Sequence, residues 1–292
     1  MKGLSIIIPS YNTEKITLQC INSLVNNLKK TTIHYEIIII DNHSVDRTVD
    51  VLTKKKFTNT TLICNEVNKG YGAANNQGLK LAQYDYVLFL NSDVIVNNIN
   101  FLTLVNYLEN HKDVGALTVK VKLPNGELDP ASHRGFPTLW RSFCYFFKLE
   151  QIFGNIFLLN RLFGGYHLTY LDKSRIHEID SPTGAFFLAS KSLLQKLNGF
   201  DEEFFMYGED LDLSFRIKKE GYRIMYYPSF SVLHLKYQSG LKNPEREQIR
   251  RKTLSYFYDT MSIFYRKHYA NKYPSFVNWL VYTMITLKKK LI

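Results

Sequence analysis

Through about its first 125 residues this chain repeats one motif: a short apolar run, a polar turn, then a stretch of helical period. That alternation confines the fold sharply. Parallel strands need long crossovers, usually helices, so strand–helix repetition predicts an α/β domain with a mostly parallel central sheet flanked by helices. The predicted strands are Leu4–Pro9, Glu36–Ile40, Thr60–Cys64, Tyr86–Leu90 and Val114–Val121. Ile16, Cys20, Ile21, Leu24, Val25 and Leu28 follow helical spacing, as do Phe101, Leu102, Val105 and Leu108. A further helix is expected around Asn76–Ala82, and Ser44 is placed to cap the helix after the second strand.

The pattern breaks after Pro124-Asn125-Gly126. Residues 127–180 are irregular and rich in aromatics: Trp140, Phe143, Tyr145, Phe146, Phe147, Phe153, Phe157 and Phe163. Core packing is the expected use of most of them, with amphipathic helices as the alternative. Strand signals return at Gly184–Ala189, and a short helix at Ser192–Leu197 is closed by Asn198-Gly199. Glu209–Glu220 reads as a helix with acids first, bases last and Gly221 as its stop. Tyr222–Tyr227 and Phe230–Leu235 read as two strands around Pro228, and the chain is helical and basic from about Asn243. The expected division is a domain over 1–240, with halves 1–125 and 126–240, and a helical basic extension over 241–292.

With 292 residues and 45% hydrophobic content the chain buries a sizeable core, and 22% charged residues with many aromatics exclude disorder. Cys20, Cys64 and Cys144 have no paired spacing, which argues against a disulfide framework or zinc motif and fits a reducing cytosol. The start runs directly into Ser5-Ile6-Ile7-Ile8, with no secretory leader expected. The net charge of +11 points to nucleic acid, anionic lipid or a phosphorylated substrate. Its basic runs are Lys54–Lys56, Arg246, Arg250–Lys252, Arg266–His268 and Lys288–Lys290. The apolar segment 276–287 is too short for the ~20 residues of a membrane span. Aromatics followed by three lysines suit a helix lying in an anionic interface, a helix docked on the core being the alternative.

In an open α/β sheet, ligands bind beyond the carboxyl ends of the parallel strands. Those ends carry Ser10-Tyr11-Asn12, Asp41-Asn42, the loop Asn65–Asn76, and Asn91-Ser92-Asp93. The loop Asn68-Lys69-Gly70-Tyr71-Gly72-Ala73-Ala74-Asn75-Asn76 allows close backbone approach and leads into a helix N-terminus, which favours phosphate. It is neither a dinucleotide fingerprint, which belongs after the first strand, nor a P-loop. Asp93 suits a hard cation whose remaining ligands come from a diphosphate. His234 ends another apolar strand; as a ligand it would favour Mn²⁺ over Mg²⁺. Finally, Glu209-Asp210-Leu211-Asp212 packs three carboxylates into four positions among aromatics. Acids in a first helical turn are ordinary, but at the edge of an apolar pocket one of them can serve as a general base.

In order along the chain, these pieces resemble family 2 glycosyltransferases. Ser5-Ile6-Ile7-Ile8-Pro9-Ser10-Tyr11-Asn12 resembles their opening strand, and Ile40-Asp41-Asn42-His43-Ser44-Val45-Asp46 their nucleotide-binding turn. Asn68–Asn76 is similar to their glycine loop, and Phe89-Leu90-Asn91-Ser92-Asp93 to their metal motif. Gly184-Ala185-Phe186-Phe187, Gly199-Phe200-Asp201-Glu202 and Gly208-Glu209-Asp210-Leu211-Asp212-Leu213 match the acceptor-side motifs. The match spans about residues 4–237 and looks closest to the rhamnosyltransferase-like branch, including Asn91 where many members carry an acid. His133-Arg134-Gly135-Phe136-Pro137 also resembles that branch. Arg134 is there a candidate phosphate contact, with an ordinary surface arginine as the alternative.

The resemblance implies a GT-A (Rossmann-like) fold and inverting transfer from a nucleotide-diphosphate sugar to a saccharide or polyprenyl-diphosphate-linked saccharide. Rhamnose is a candidate sugar, and the product belongs to cell-surface polysaccharide synthesis. Pro9, Tyr11, Asn12, Asp41, Asn42, Asn68, Gly70, Asn75, Asn91, Ser92 and Asp93 would bind the donor, with Asp41 on base or ribose. Asp93 and His234 would hold Mn²⁺ or Mg²⁺. Asp210 would be the catalytic base and Glu209 an acid contacting the acceptor. The expected location is cytoplasmic, peripheral at the inner face of the membrane. A binding-only assembly partner of the same fold is the rival reading, favoured by Asn91. Nucleic-acid binding rests on charge alone, without a recognition motif.

Overall fold

The first apolar run forms β1 (Leu4–Ser10), in which Leu4, Ile6, Ile7 and Ile8 are all buried. A strand apolar on both faces belongs inside a sheet covered on both sides. β1 pairs in parallel with β2 (Tyr35–Asp41) and β4 (Tyr86–Leu90), and β2 in parallel with β3 (Thr60–Cys64). α1 (Glu14–Leu28) seats Cys20, Ile21, Leu24 and Leu28 with Ile6 and Ile8 on one face of the sheet. α3 (Tyr71–Leu81) brings Ala74 and Leu79 to Ile7, Ile38 and Ile40 on the other. That approach is close: a Cβ on Gly78 would collide with the Ile7 side chain. The computed structural model describes residues 2–154, 156–236 and 247–291. The 240/241 boundary, Tyr237, Asn243 and Arg246 lie outside the described residues, as do the side chains of Arg250 and Lys252.

Beyond β4 come β5 (Val94–Val96), α4 (Phe101–Asn110), β6 (Val114–Lys122), β7 (His177–Ile179), β8 (Phe186–Ser190) and β9 (Arg223–His234). One sheet runs β3-β2-β1-β4-β8-β6-β9-β5, with β7 also on β9. β8 is antiparallel to both β4 and β6, so strand direction reverses midway, and the sheet is parallel on one side and mixed on the other. The resulting α/β architecture, helices over a largely buried sheet, is the expected fold class.

Several elements differ from the sequence expectation. α3 begins at Tyr71, so two thirds of the glycine loop is helix; Gly70, at φ +89°, turns the chain into it. Ser44 caps nothing. The helix α2 (Thr48–Lys55) starts after Arg47 with no side-chain cap, and the Ser44 hydroxyl donates to Asp41 instead. The two late strands are one, β9. Its register on β6 shifts between Val119 and Lys120, which loops Pro228–Phe230 out of the pairing and tolerates the proline. β5, three residues long, had no detectable period.

The aromatic region forms α5 (Leu139–Phe146), α6 (Leu149–Phe153) and α7 (Phe157–Phe163), and it is not core. Trp140, Phe143, Tyr145 and Phe147 are exposed, and Phe146, Phe153 and Phe163 only half-buried. α8 (Lys191–Lys196) and α9 (Glu209–Lys219) follow. α10 (Glu247–His268) packs Phe264, Tyr265 and, just past its end, Tyr269 against Phe204 and Leu211, and α11 (Ser275–Lys290) folds back on it through Val281 and Tyr282. Among the described residues no helix is long and apolar enough to cross a membrane.

Phe89 on β4 is fully buried, 4.6 Å from the Phe200 ring centroid and 6.4 Å from that of Phe187. Phe89→Ala should cost about 3–5 kcal/mol, read from the urea midpoint at unchanged slope.

Candidate active site

The carboxyl ends of β1 and β2 meet at Asp41. It is buried, and its carboxylate accepts three hydrogen bonds: from Ser10 Oγ (2.9 Å), Ser44 Oγ (2.6 Å) and Ser44 N (2.8 Å). A carboxylate has about four acceptor positions, so little capacity remains for a ribose. Asn12, in the left-handed region at φ 52°, accepts from Val45 N (2.8 Å) and fixes the facing turn. Pro9 is half-buried within β1, and Tyr11 stands exposed at the rim.

Asn42 organises the glycine loop. Its Nδ2 donates to Asn68 Oδ1 (2.9 Å) and the Gly70 carbonyl (3.0 Å), and its Oδ1 accepts from Asn65 Nδ2 (3.1 Å) and Lys69 N (3.2 Å). Gly70 abuts the segment before α9: a Cβ there would lie 2.6 Å from the Phe205 carbonyl oxygen. That carbonyl accepts from Tyr71 N (3.0 Å). The glycine loop and the acid-bearing turn are thus stitched together.

At the end of β4, Asn91, Ser92 and Asp93 are each half-buried. β5 pairs antiparallel with β9, and this brings Asp93 Oδ1 to 3.2 Å from His234 Nε2. The other ring nitrogen lies 2.9 Å from Asp129 Oδ2, and Lys236 Nζ bonds Asp129 Oδ1 at 2.7 Å. Burial alone would depress the His234 imidazole, but the hydrogen bonds it donates to Asp129 and Asp93 outweigh this and raise it to about 9. Burial likewise works against the Asp129 charge, yet His234 and Lys236 hold that carboxyl well below the usual range. Asp129 was not foreseen; an Asp-Pro after a turn has no local signature of a histidine partner.

The acids of α9 separate by their partners. Gly208, at φ +78°, lets the chain enter the helix, and the Thr260 hydroxyl of α10 bonds the carbonyls of Met206 (3.2 Å) and Tyr207 (3.0 Å) beneath it. Asp212 is buried and bound by Arg216 Nε (2.7 Å) and His268 Nε2 (2.8 Å), so it ties α9 to α10. Asp210 Oδ2 accepts from Arg134 Nη2 (2.8 Å) and Gly184 N (3.2 Å). Arg134 is therefore no surface arginine: burial alone would lower its guanidinium, and the Asp210 charge more than offsets this. Glu209 is buried with Oε2 unpartnered, and burial first, then the Asp210 charge, push it up from 4.5 to about 8.

Buried polar atoms lacking a partner are uncommon and need a reason. Among the described residues five side-chain atoms qualify: Asn75 Oδ1, Asn91 Oδ1, Arg134 Nε, Glu209 Oε2 and, elsewhere, Glu150 Oε2. The first four are joined through one backbone junction. Asn91 N bonds the Ala185 carbonyl, Gly184 N bonds Asp210, and the Tyr71 hydroxyl bonds the Gly184 carbonyl (2.9 Å). Asn75 Nδ2 bonds the Tyr71 carbonyl (3.0 Å), and Arg134 pairs with Asp210. Unsatisfied acceptors and a cation with a spare N–H, linked through this one junction, are the arrangement a polar, charged ligand would complete.

The family profile described as "Glycosyl transferase family 2" matches residues 5–173, more than half of the chain. The chain is a family 2 glycosyltransferase. A second profile, "Glycosyl transferase family group 2", matches residues 160–288 of this glycosyltransferase. It is 29% identical to rhamnosyltransferase WbbL of Escherichia coli over 227 residues, 73% of this chain and 78% of that one. It is 28% identical to an N-acetylglucosaminyl-diphospho-decaprenol L-rhamnosyltransferase of Mycobacterium tuberculosis, over 71% and 69% of the two chains. Within its family the enzyme is rhamnosyltransferase-like. The crystal structure of Staphylococcus aureus TarS 1-349 with UDP superposes with a TM-score of 0.56 at 22% identity, over 90% of this chain and 64% of that one. That likeness shows the GT-A fold.

Two outcomes test this geometry. Arg134→Ala leaves Asp210 buried without its cation and should cost about 3–5 kcal/mol; in a double-mutant cycle with Asp210→Ala the two losses should fall short of additive. The raised Glu209 holds its proton in the folded chain where the unfolded chain has released it, so stability falls as pH rises from about 4.5 to about 8. Urea titrations across that window should show a shallower fall in Glu209→Gln.

Proposed function

We propose that this glycosyltransferase moves a sugar, with rhamnose the first candidate, from a nucleotide-diphosphate donor to a saccharide hydroxyl, inverting the anomeric centre by single displacement. The setting is cell-surface polysaccharide synthesis, and the acceptor is a saccharide carried on a polyprenyl diphosphate. The observation that carries the reading is the set of orphaned polar atoms around the Gly184–Ala185 junction. The relatives support the chemical classes: one solved neighbour holds UDP, and the name of one relative includes a decaprenol-diphosphate-linked sugar.

Asp210 is the base in this proposal. An acceptor hydroxyl is a weak nucleophile until a carboxylate takes its proton. Arg134 orients that carboxylate and balances its charge in a dry site, and the N-terminus of α9 favours the anion. Glu209, neutral over most of the working range, donates or accepts a hydrogen bond at the acceptor without adding a second buried charge. Asn75 Oδ1 and Asn91 Oδ1 accept from donor hydroxyls.

Asp93 and His234 would hold a divalent cation once the His234 ring gives up its proton at Nε2. They converge at 3.2 Å, and Asp129 holds the far ring nitrogen as outer carboxylates do for ligating histidines. Mn²⁺ or Mg²⁺ there would neutralise charge on the departing diphosphate.

Asp210→Asn should lower turnover about 10²–10⁴-fold while leaving the thermal shift by nucleotide sugar intact. If it turns over normally and Glu209→Gln does not, the base is Glu209. The second reading, a nucleotide-sugar-binding partner without turnover, is favoured by Asn91 in place of an acid; release of no nucleoside diphosphate across donors and acceptors would select it.

A further inference from the structure

The helices α5–α7 and α11 form one exposed apolar face. Trp140, Phe143, Phe147, Ile152, Leu158 and Leu162 are between 44% and 81% exposed. On α11 and just past its end, Phe276, Trp279, Leu280, Leu287 and Leu291 are between 50% and 83% exposed, while Val281 and Tyr282 take the side towards α10. The two patches adjoin. Lys288 Nζ of α11 stands 5.9 Å from the Phe146 ring of α5, and Leu139 packs on the same cluster as Val281. Single exposed apolar residues are ordinary, but a contiguous set marks an interaction site.

Charge selects the partner. Residues 139–163 contain one acid, Glu150, and it is turned onto His167 Nδ1 at 2.7 Å. Residues 275–292 contain no acid and carry Lys288, Lys289 and Lys290, of which Lys289 pairs with Asp259 of α10. A second copy would present the same basic face from a chain of net charge +11 and would be repelled. An anionic headgroup layer complements it, and exposed tryptophans with basic flanks suit the interfacial zone of a bilayer.

We infer that this composite face seats the protein on an anionic lipid bilayer, with α5–α7 as much a part of the contact as α11. The seat lies next to the candidate active site. Arg134 is five residues before α5, and Gly135 N bonds the Tyr166 carbonyl just past α7 (2.8 Å). A lipid-linked acceptor would enter from that side, a clause that rests on the proposed function; the seat itself does not.

The test is flotation of the full chain with phosphatidylcholine vesicles, with and without phosphatidylglycerol, at low and high salt. Wild type should float with the anionic vesicles and lose binding in salt. Leu158→Glu/Leu162→Glu and Trp279→Glu/Leu280→Glu should each reduce the bound fraction about tenfold or more, with circular dichroism and the thermal shift by nucleotide sugar unchanged. Three results overturn the inference: no preference for anionic vesicles, an α7 variant that floats like wild type, or a wild-type dimer by light scattering that these substitutions dissociate. Flotation without sugar transfer would leave the seat standing and remove the transfer reading alone.

Discussion

Burying three carboxylates in the first turn of one helix is the constraint around which the second half of this molecule is organised. Each charge removed from water costs several kcal/mol unless it is paired, and α9 meets that demand three ways. Asp212 receives Arg216 and His268, which brings in α10. Asp210 receives Arg134, which fixes the chain running from β6 into α5. Glu209 keeps one carboxylate oxygen without a partner, and burial with the Asp210 charge favours its protonated form. The unequal treatment of neighbouring acids distinguishes a site from a helix start, because dipole stabilisation alone would serve exposed carboxylates equally well.

The parallel half was legible in the sequence because its signals are local. Ile6-Ile7-Ile8 and Ile37–Ile40 announce strands buried on both faces, and strand ends nominate Asp41 and Asp93 without knowledge of the tertiary structure. The site's second half was only partly legible. Glu209 and Asp210 stood out by density, but their division of labour depends on Arg134, 76 residues away. Asp129 meets His234 across 105 residues, through a strand pairing that no window of sequence contains. The aromatics of α5–α7 misled for a physical reason: hydrophobicity records a preference to leave water, not the phase that receives the side chain.

Asn42, Asn68 and Gly70 carry a different lesson. Sequence motifs nominate them as donor contacts, yet here their hydrogen bonds run to one another and to the loop backbone. They set the shape of the rim. The atoms left without partners belong to other residues, Asn75 and Asn91. A motif can thus mark a site through the residues that build its walls.

The sheet that passes from β3 to β5 has a mechanical consequence. The parallel half and the mixed half share one hydrogen-bonded surface, with β8 bridging β4 to β6. Two lobes joined that way cannot open like a jaw, since any hinge would break a ladder in the core. The two halves are tied once more at the rim, where Tyr71 N bonds the Phe205 carbonyl and Gly70 abuts it.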